Sequence, residues 1–317
     1  MINYTIHFLS CDWGTFSFRL CLVRVEGFKI LAEEKSKDGS AATFKRWQQV
    51  AQPIENRIEY YLKVLESQID NLKKKVTVCI DEVPLIISGM ASSTIGVMEL
   101  PYKKLPFFID GSDLHVKKIP ATSKFIYDTI LISGVRTDED VMRDEETQLV
   151  GCDLPASDHE QLFIHPGTHS KYVAVRDGKG VSLKTYMTDD FFSLLATKCI
   201  LTQSIKNDGD FNTGAHKKYF EMGVKKGSTL NLLHEAFMVR TNNLFNKLTS
   251  EQNYFFFSGL LIGNELKDIF QNFNGGITLA GEPDLIMYYT AALNYLSIAK
   301  NTPSFLSRTG VETTLKR

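Results

Sequence analysis

The feature that most constrains this chain is a short glycine motif that occurs twice. Gly14-Thr15-Phe16-Ser17 and Gly167-Thr168-His169-Ser170 stand 153 residues apart in a chain of 317. Each G-T-x-S falls at the bend between two strand-like runs, and each is followed at a similar remove by a glycine turn, Gly27 after the first and Gly178 after the second. Self-similarity at half the chain length predicts a duplicated fold. Glycine lets the backbone approach a ligand closely, and consecutive N–H groups beside a Thr or Ser hydroxyl form an anion-binding concavity. One such turn is as readily an ordinary polar hairpin, because Gly, Thr and Ser are common turn residues. Two matched copies point to a polyphosphate gripped from both sides.

The flanking patterns agree with duplication. Tyr4 to Cys11, Phe18 to Val25 and Phe28 to Lys35 read as a three-strand meander. Gln161 to His165, Lys171 to Arg176 and Val181 to Met187 read as a second meander after the other motif. Helices are expected from Ser40 to Val50 and from Pro53 to about Lys75, with strands at Pro84 to Ser88 and Phe125 to Ser133. An acidic, helix-like stretch from Asp138 to Val150 divides the chain. Beyond the second meander, helical patterns at Asp190 to Leu201 and Leu230 to Leu248 precede a strand at Tyr254 to Ser258 and a helix from Leu260. A strand at Ile277 to Ala280, a helix from Pro283 and a short polar end after Asn301 complete the reading.

Composition narrows the partner. With 36 Lys+Arg against 37 Asp+Glu and a formal charge of -1, there is no basic field to hold nucleic acid or an anionic membrane. No apolar run approaches the roughly 18 residues that a membrane helix needs. The odd, scattered set of Cys11, Cys21, Cys79, Cys152 and Cys199 contains no C-x-x-C pair, which argues against a disulfide framework and a zinc site and favours a reducing cytoplasm. Leu9-Ser10-Cys11 loosely matches a lipoprotein cleavage site but lacks the basic leader. A P-loop, a G-x-G-x-x-G turn, H-E-x-x-H and G-x-S-x-G are all absent, so a bound phosphate falls to the two hairpins.

CDWGTFSFRL resembles the first phosphate loop of the sugar kinase, actin and heat-shock chaperone superfamily, and HPGTHSKYV its second. More specifically, SGM at Ser88 to Met90, ELPY at Glu99 to Tyr102, DVMRDEETQLVG at Asp140 to Gly151, PGTHSKY, TYMT, and FSGLLIGNEL at Phe257 to Leu266 resemble the 2-dehydro-3-deoxygalactonokinase family in order and spacing. The resemblance covers nearly the whole chain. It implies an α/β chain with a two-lobed, duplicated actin-like ATPase (ribonuclease H-like) fold, each lobe a mixed sheet opening with a three-strand meander and flanked by helices. An N-terminal lobe over 1–137, completed by the helix 283–300, and a C-terminal lobe over 138–282 are expected.

The resemblance also suggests roles. Asp12 stands where superfamily members hold magnesium through water, with Gly14, Thr15 and Ser17 placed for phosphate; a local turn whose carboxylate caps nearby N–H groups is the alternative. Gly167, Thr168, His169, Ser170 and Lys171 form the second cradle, Lys171 adding a point charge. Asp140 matches the aspartate that accepts the proton of the attacking hydroxyl, or else caps a helix, with Glu145 and Asp144 as other candidate bases. Arg143 either meets a substrate carboxylate or pairs with Glu146 or Glu139. Ser92, Ser93, Arg143 and Glu145 are the substrate-binding candidates, and Gly259, Gly263 and Gly281 either admit adenosine or pack helices. Phe16, Thr94, Ile95, Asp144 and Asp189 depart from the family pattern, and Pro166 replaces the superfamily's Asp. The implied activity is ATP- and magnesium-dependent phosphorylation of 2-dehydro-3-deoxy-D-galactonate to its 6-phosphate by a cytoplasmic enzyme, with a homodimer as the possible assembly. A different small sugar acceptor and a non-catalytic nucleotide sensor are the alternatives.

Overall fold

A computed structural model describes residues 6–50, 57–152, 154, 157, 159–273, 275–300 and 305–309. By compactness the chain divides into one unit of Met1–Asp153, Gly178–Leu183 and Val311–Arg317, and a second of Leu154–Asp177 and Lys184–Gly310.

In the first unit, β1 (His7–Trp13), β2 (Phe18–Arg24) and β3 (Lys29–Ser36) form the expected antiparallel meander, closed between β2 and β3 by Gly27 at φ 72°. Helices α1 (Ser40–Gln49) and α2 (Arg57–Lys73) follow. β4 (Leu85–Gly89) then pairs parallel with β1. Short strands β5 (Lys103–Lys104), β6 (Phe107–Phe108) and β7 (Val116–Ile119) lead to β8 (Thr129–Ile132), which lies parallel to β4. The sheet order is β3-β2-β1-β4-β8-β7. Alternate residues Leu9, Cys11 and Trp13 from β1 meet Tyr61, Leu65, Ile69 and Leu72 of α2 in one core, the period-2 stripe of the strand facing the helical stripe. Tyr4 and Pro53, assigned from sequence to a strand and a helix start, lie outside the described residues.

The acidic stretch corrects the sequence reading. Only Glu145–Gly151 (α3) is helical, while Asp138 and Asp140 belong to a tight hairpin between β9 (Val135–Arg136) and β10 (Val141–Met142). Thr137 makes that turn by accepting the N–H of Asp140 at 2.7 Å. Asp140 therefore caps no helix.

The second sheet repeats the plan. β11 (Gln161–His165), β12 (Ser170–Arg176) and β13 (Lys179–Tyr186) are followed by α4 (Thr188–Lys198), α5 (Gly214–Thr229), α6 (Leu232–Leu244) and α7 (Ser250–Asn272). β14 (Ile277–Gly281), α8 (Pro283–Lys300) and β15 (Phe305–Thr309) close the chain, with β14 parallel to both β11 and β15. The order β15-β14-β11-β12-β13 matches β8-β4-β1-β2-β3 strand for strand. A meander joined to two parallel strands, repeated within one chain, is the actin-like ATPase fold.

Three further assignments differ from the sequence reading. Tyr254–Ser258 is no strand but the first half of the continuous helix α7, which a capping box of Thr249 and Gln252 starts. The end after Asn301 contributes a strand. Pro283–Lys300 groups with the second unit rather than the first, because its Tyr289, Leu293 and Leu296 enter the same core as Ile277 and Leu279 of β14.

Candidate active site

At the first hairpin β1 ends on Asp12 and Trp13, which lie beside Ser88 and Gly89 at the carboxyl end of β4. Open sheets place ligands at such ends. Gly89 adopts φ 83°, and a Cβ there would stand 2.9 Å from the Trp13 carbonyl and 3.4 Å from an Asp12 carboxylate oxygen. The backbone of α1 braces the loop: Ser40 N–H donates to the Gly14 carbonyl at 2.9 Å and Ala41 N–H to the Thr15 carbonyl at 3.1 Å. Gly39 permits that approach, since a Cβ on it would fall 2.4 Å from the Thr15 carbonyl. Gly14, Thr15 and Ser17 thus form a firmly held turn, and Phe16, 80% exposed, projects from it.

Asp144 joins these strand ends. It stands at φ 109°, a left-handed conformation that costs a residue with a Cβ on the order of 1–3 kcal/mol. Its side chain is taken up locally: Ser88 Oγ donates to Oδ1 at 2.8 Å and Gln148 Nε2 to Oδ2 at 3.1 Å. Its N–H donates to both carboxylate oxygens of Glu146. Glu146 is fully buried, and burial, followed by the charges of Asp144 and Glu145, pushes its carboxyl up to about 8. Sequence reading gave Glu146 only a minor ion-pair role.

Asp140 is half-buried, with Oδ1 accepting the Val141 N–H at 2.7 Å. Arg143 is committed more deeply than expected. Its Nε donates to the Tyr102 hydroxyl at 3.2 Å, its guanidinium lies 4.1 Å from the Tyr102 ring centre, and Nη1 bonds both the carbonyl and the hydroxyl of Ser92. Ser92 and Ser93 turn inward and are buried, Ser93 Oγ donating to the Met90 carbonyl at 2.7 Å. The Thr94 and Ile95 carbonyls are held by Arg57 and by the Tyr61 hydroxyl. Glu145 accepts the Arg143 N–H at 2.9 Å. Ser92, Ser93, Arg143 and Glu145 therefore build the loops of this face rather than a free row of substrate ligands.

At the second hairpin, Gly167 meets only the His165 ring, at 3.8 Å, where a Cβ would lie. Thr168 and His169 are exposed, and His169 Nε2 pairs with Asp190 at 2.6 Å. Lys171 is 7% exposed, its ammonium donates to Thr185 Oγ1 at 3.1 Å, and among the described residues no carboxylate pairs with it. A buried cation left without an acid is stabilised by a bound anion. Ser170 is fully buried and its hydroxyl meets the Tyr289 hydroxyl at 2.9 Å.

Beside Gly167 opens a pocket lined by Thr188, Asp189, Phe192, Tyr254, Tyr288 and Tyr289 and by Ser258, Leu261 and Ile262 of α7. Gly259 and Gly263 face away from it. A Cβ on Gly259 would lie 2.0 Å from the Phe220 carbonyl and one on Gly263 2.4 Å from that of Val224, so both serve the crossing of α7 with α5. Gly223 and Gly227 answer them from α5, with 2.0 Å to the Phe256 and Leu260 carbonyls. Of the three glycines expected near adenosine, Gly281 adjoins the second glycine hairpin, where a Cβ on it would lie 3.2 Å from the Pro166 carbonyl.

The family model described as 2-keto-3-deoxy-galactonokinase matches residues 12–308. The chain belongs to that family. A Rhizobium meliloti (strain 1021) protein bearing the 2-dehydro-3-deoxygalactonokinase name is 26% identical over 293 residues, 90% of this chain and 89% of its own length. The Escherichia coli (strain K12) 2-dehydro-3-deoxygalactonokinase is 30% identical over 194 residues, 59% of this chain and 61% of that enzyme. A crystal structure of a Sinorhizobium meliloti protein assigned to the same kinases superposes with a TM-score of 0.77 at 24% identity, covering 98% of this chain and 96% of that one, and shares its fold. The family match spans Asp12, both glycine hairpins and the Asp140 turn.

Proposed function

We propose that this protein phosphorylates 2-dehydro-3-deoxy-D-galactonate at its 6-hydroxyl with ATP and magnesium, in galactonate breakdown. The observation that carries the proposal is the family match across residues 12–308, which takes in both hairpins and the loops around Asp140. On this reading the second hairpin and its aromatic cavity receive the nucleotide: Phe192, Tyr254 and Tyr288 face the base, and the Gly167 backbone with Lys171 faces the phosphates. Asp140 accepts the proton of the attacking hydroxyl, and positioning with charge stabilisation does the remainder of phosphoryl transfer.

Oxygen ligands at Asp12 suit a hard cation. Among the described residues no three His, Cys, Asp or Glu side chains gather closely enough to hold a metal by themselves. That donor set fits a hydrated magnesium, kept by one carboxylate through water and by nucleotide phosphates. When bound, magnesium neutralises charge developing on the transferred phosphoryl group.

A second copy of the chain is the expected protein partner. Support comes from apolar side chains left in solvent on α4 and α6: Leu194 is 58% exposed, Leu233 81% and Phe237 53%. A cytoplasmic setting is supported by five cysteines without a disulfide and by the absence, among the described residues, of any helix long and apolar enough to cross a membrane.

Release of ADP measured across sugar acids and neutral sugars tests the proposal. Turnover preferring 2-dehydro-3-deoxygalactonate supports it; preference for another sugar replaces the acceptor; no turnover with any acceptor leaves a nucleotide-binding protein. Sedimentation equilibrium reads the assembly.

A further inference from the structure

Glu265 is a buried carboxylate on α7, 2% exposed, that no step of the transfer reaction uses. Three hydroxyls donate to it at close range, and the Ser170 hydroxyl also bonds it. Tyr172 of β12 donates to Oε1 at 2.5 Å, Tyr289 of α8 donates to both oxygens at 2.8–2.9 Å, and Thr188, at the start of α4, donates to Oε2. Thr188 and Tyr289 also line the cavity beside Gly167. Two elements that border the pocket, α4 and α8, and the neighbouring strand β12 are thus tied to one group on α7, which borders it too.

The direction of these bonds has a chemical consequence. A hydroxyl has a single proton. With Glu265 ionised, Tyr289 gives its proton to it, and Ser170 is then the donor in its 2.9 Å contact with Tyr289. The Ser170 proton is then already placed when a phosphate arrives, and what the hairpin offers an anion is its backbone N–H groups, Thr168 and the Lys171 ammonium.

We infer that Glu265 is a positioning residue for the nucleotide pocket, acting directly and through Tyr289 to hold Ser170 as a hairpin anchor instead of a phosphate ligand. This rests on the reading of the second hairpin as the nucleotide's phosphate site. It also explains why Ser170 is fully buried while Thr168 and His169 beside it are exposed.

Ser170→Ala, Tyr289→Phe and their double variant decide the matter, with magnesium-ATP binding by calorimetry and steady-state kinetics as readouts. Each single change removes the same link, so each should weaken ATP binding about three- to tenfold, and the double variant should be no weaker than the worse single. KM for ATP should rise with kcat within about twofold, because the network touches only the nucleotide side. Glu265→Gln puts an N–H₂ donor among hydroxyl donors and should weaken ATP binding at least as much, with Glu265→Asp recovering part of it. If Glu265→Gln does not fold, the Ser170 and Tyr289 variants still give the answer. Additive losses would mean that Ser170 meets phosphate directly, and unchanged ATP binding in both singles would mean that the network positions nothing; either overturns the inference alone. A wild-type protein that binds no ATP overturns the nucleotide reading, and this inference with it.

Discussion

Valine at position 167 separates ligand binding from folding with unusual clarity. A Cβ on Gly167 would find nothing nearer than the His165 ring at 3.8 Å, an ordinary van der Waals distance, and the residue does not occupy the left-handed region. The apo variant should therefore melt within about 1 °C of wild type, since substitutions away from strained or packed positions change stability little. The added methyl groups instead occupy space along the pocket wall where, on the proposed reading, a phosphate comes close to backbone N–H. At a nucleotide concentration of 100 times Kd, binding to the folded state alone stabilises wild type by about 2.7 kcal/mol. For a unit of this size that corresponds to a rise of roughly 5–11 °C in Tm. Differential scanning fluorimetry with and without magnesium-ATP should show that rise in wild type and lose most of it in Gly167→Val. A folded variant with the full ATP shift would refute the hairpin as phosphate cradle, however well the family match stands.

Gly259→Ala should do the reverse: its methyl would fall 2.0 Å from the Phe220 carbonyl and drive α5 from α7, costing about 3 kcal/mol and lowering Tm by roughly 6–12 °C before any ligand is added. Asp140→Asn keeps an acceptor for the Val141 N–H and loses basicity, so ATP binding should persist while transfer falls roughly 10²–10⁴-fold; a full-rate enzyme would move the base to Glu145 or Asp144. Asp12→Asn should fold normally yet need several-fold more magnesium for half-maximal rate, and wild-type behaviour at limiting magnesium would make Asp12 a turn residue only. The Glu146 carboxyl titrates near 8 when folded against about 4.3 unfolded, so the folded state binds the proton more tightly. The stability contribution is complete below about pH 4, declines as pH rises toward 8 and is lost above it. Glu146→Gln should flatten that decline in urea titrations between pH 5 and 8, and an unchanged slope would assign the decline elsewhere.

What could be read from the residues depended on the range over which each signal acts. The two meanders were legible because strand alternation and the turns at Gly27 and Gly178 are local. α5 escaped notice, and α7 was broken at Gly259, because Gly214, Gly223, Gly227, Gly259 and Gly263 depress helix propensity while four of them exist to let the two helices touch. The acidic run around Asp140 imitates a helix start, yet Thr137 closes a hairpin there and the helix waits until Glu145. Asp12, Gly14 and Gly167 were placed correctly at strand ends by motif alone. Ser92, Ser93 and Arg143 were found by motif but turned inward, since the sequence carries no sign of Tyr102 reaching Arg143 from 41 residues away. The Glu265 cluster joins residues 24, 77 and 93 positions from it, a separation that leaves no periodic trace.

The two hairpins hold the same motif by different means, and that difference bears on how each half can drift over generations. The first is fastened by main-chain groups of α1, which nearly any sequence supplies so long as residue 39 remains glycine. The second depends on hydroxyls and a carboxylate contributed by separate elements, so its tolerance to change is the product of several independent requirements. A deep mutational scan selecting for growth on the sugar acid should therefore find one narrow bottleneck behind Thr15 and a diffuse halo of sensitivity behind Ser170. The copies of one duplication would then carry unequal genetic loads.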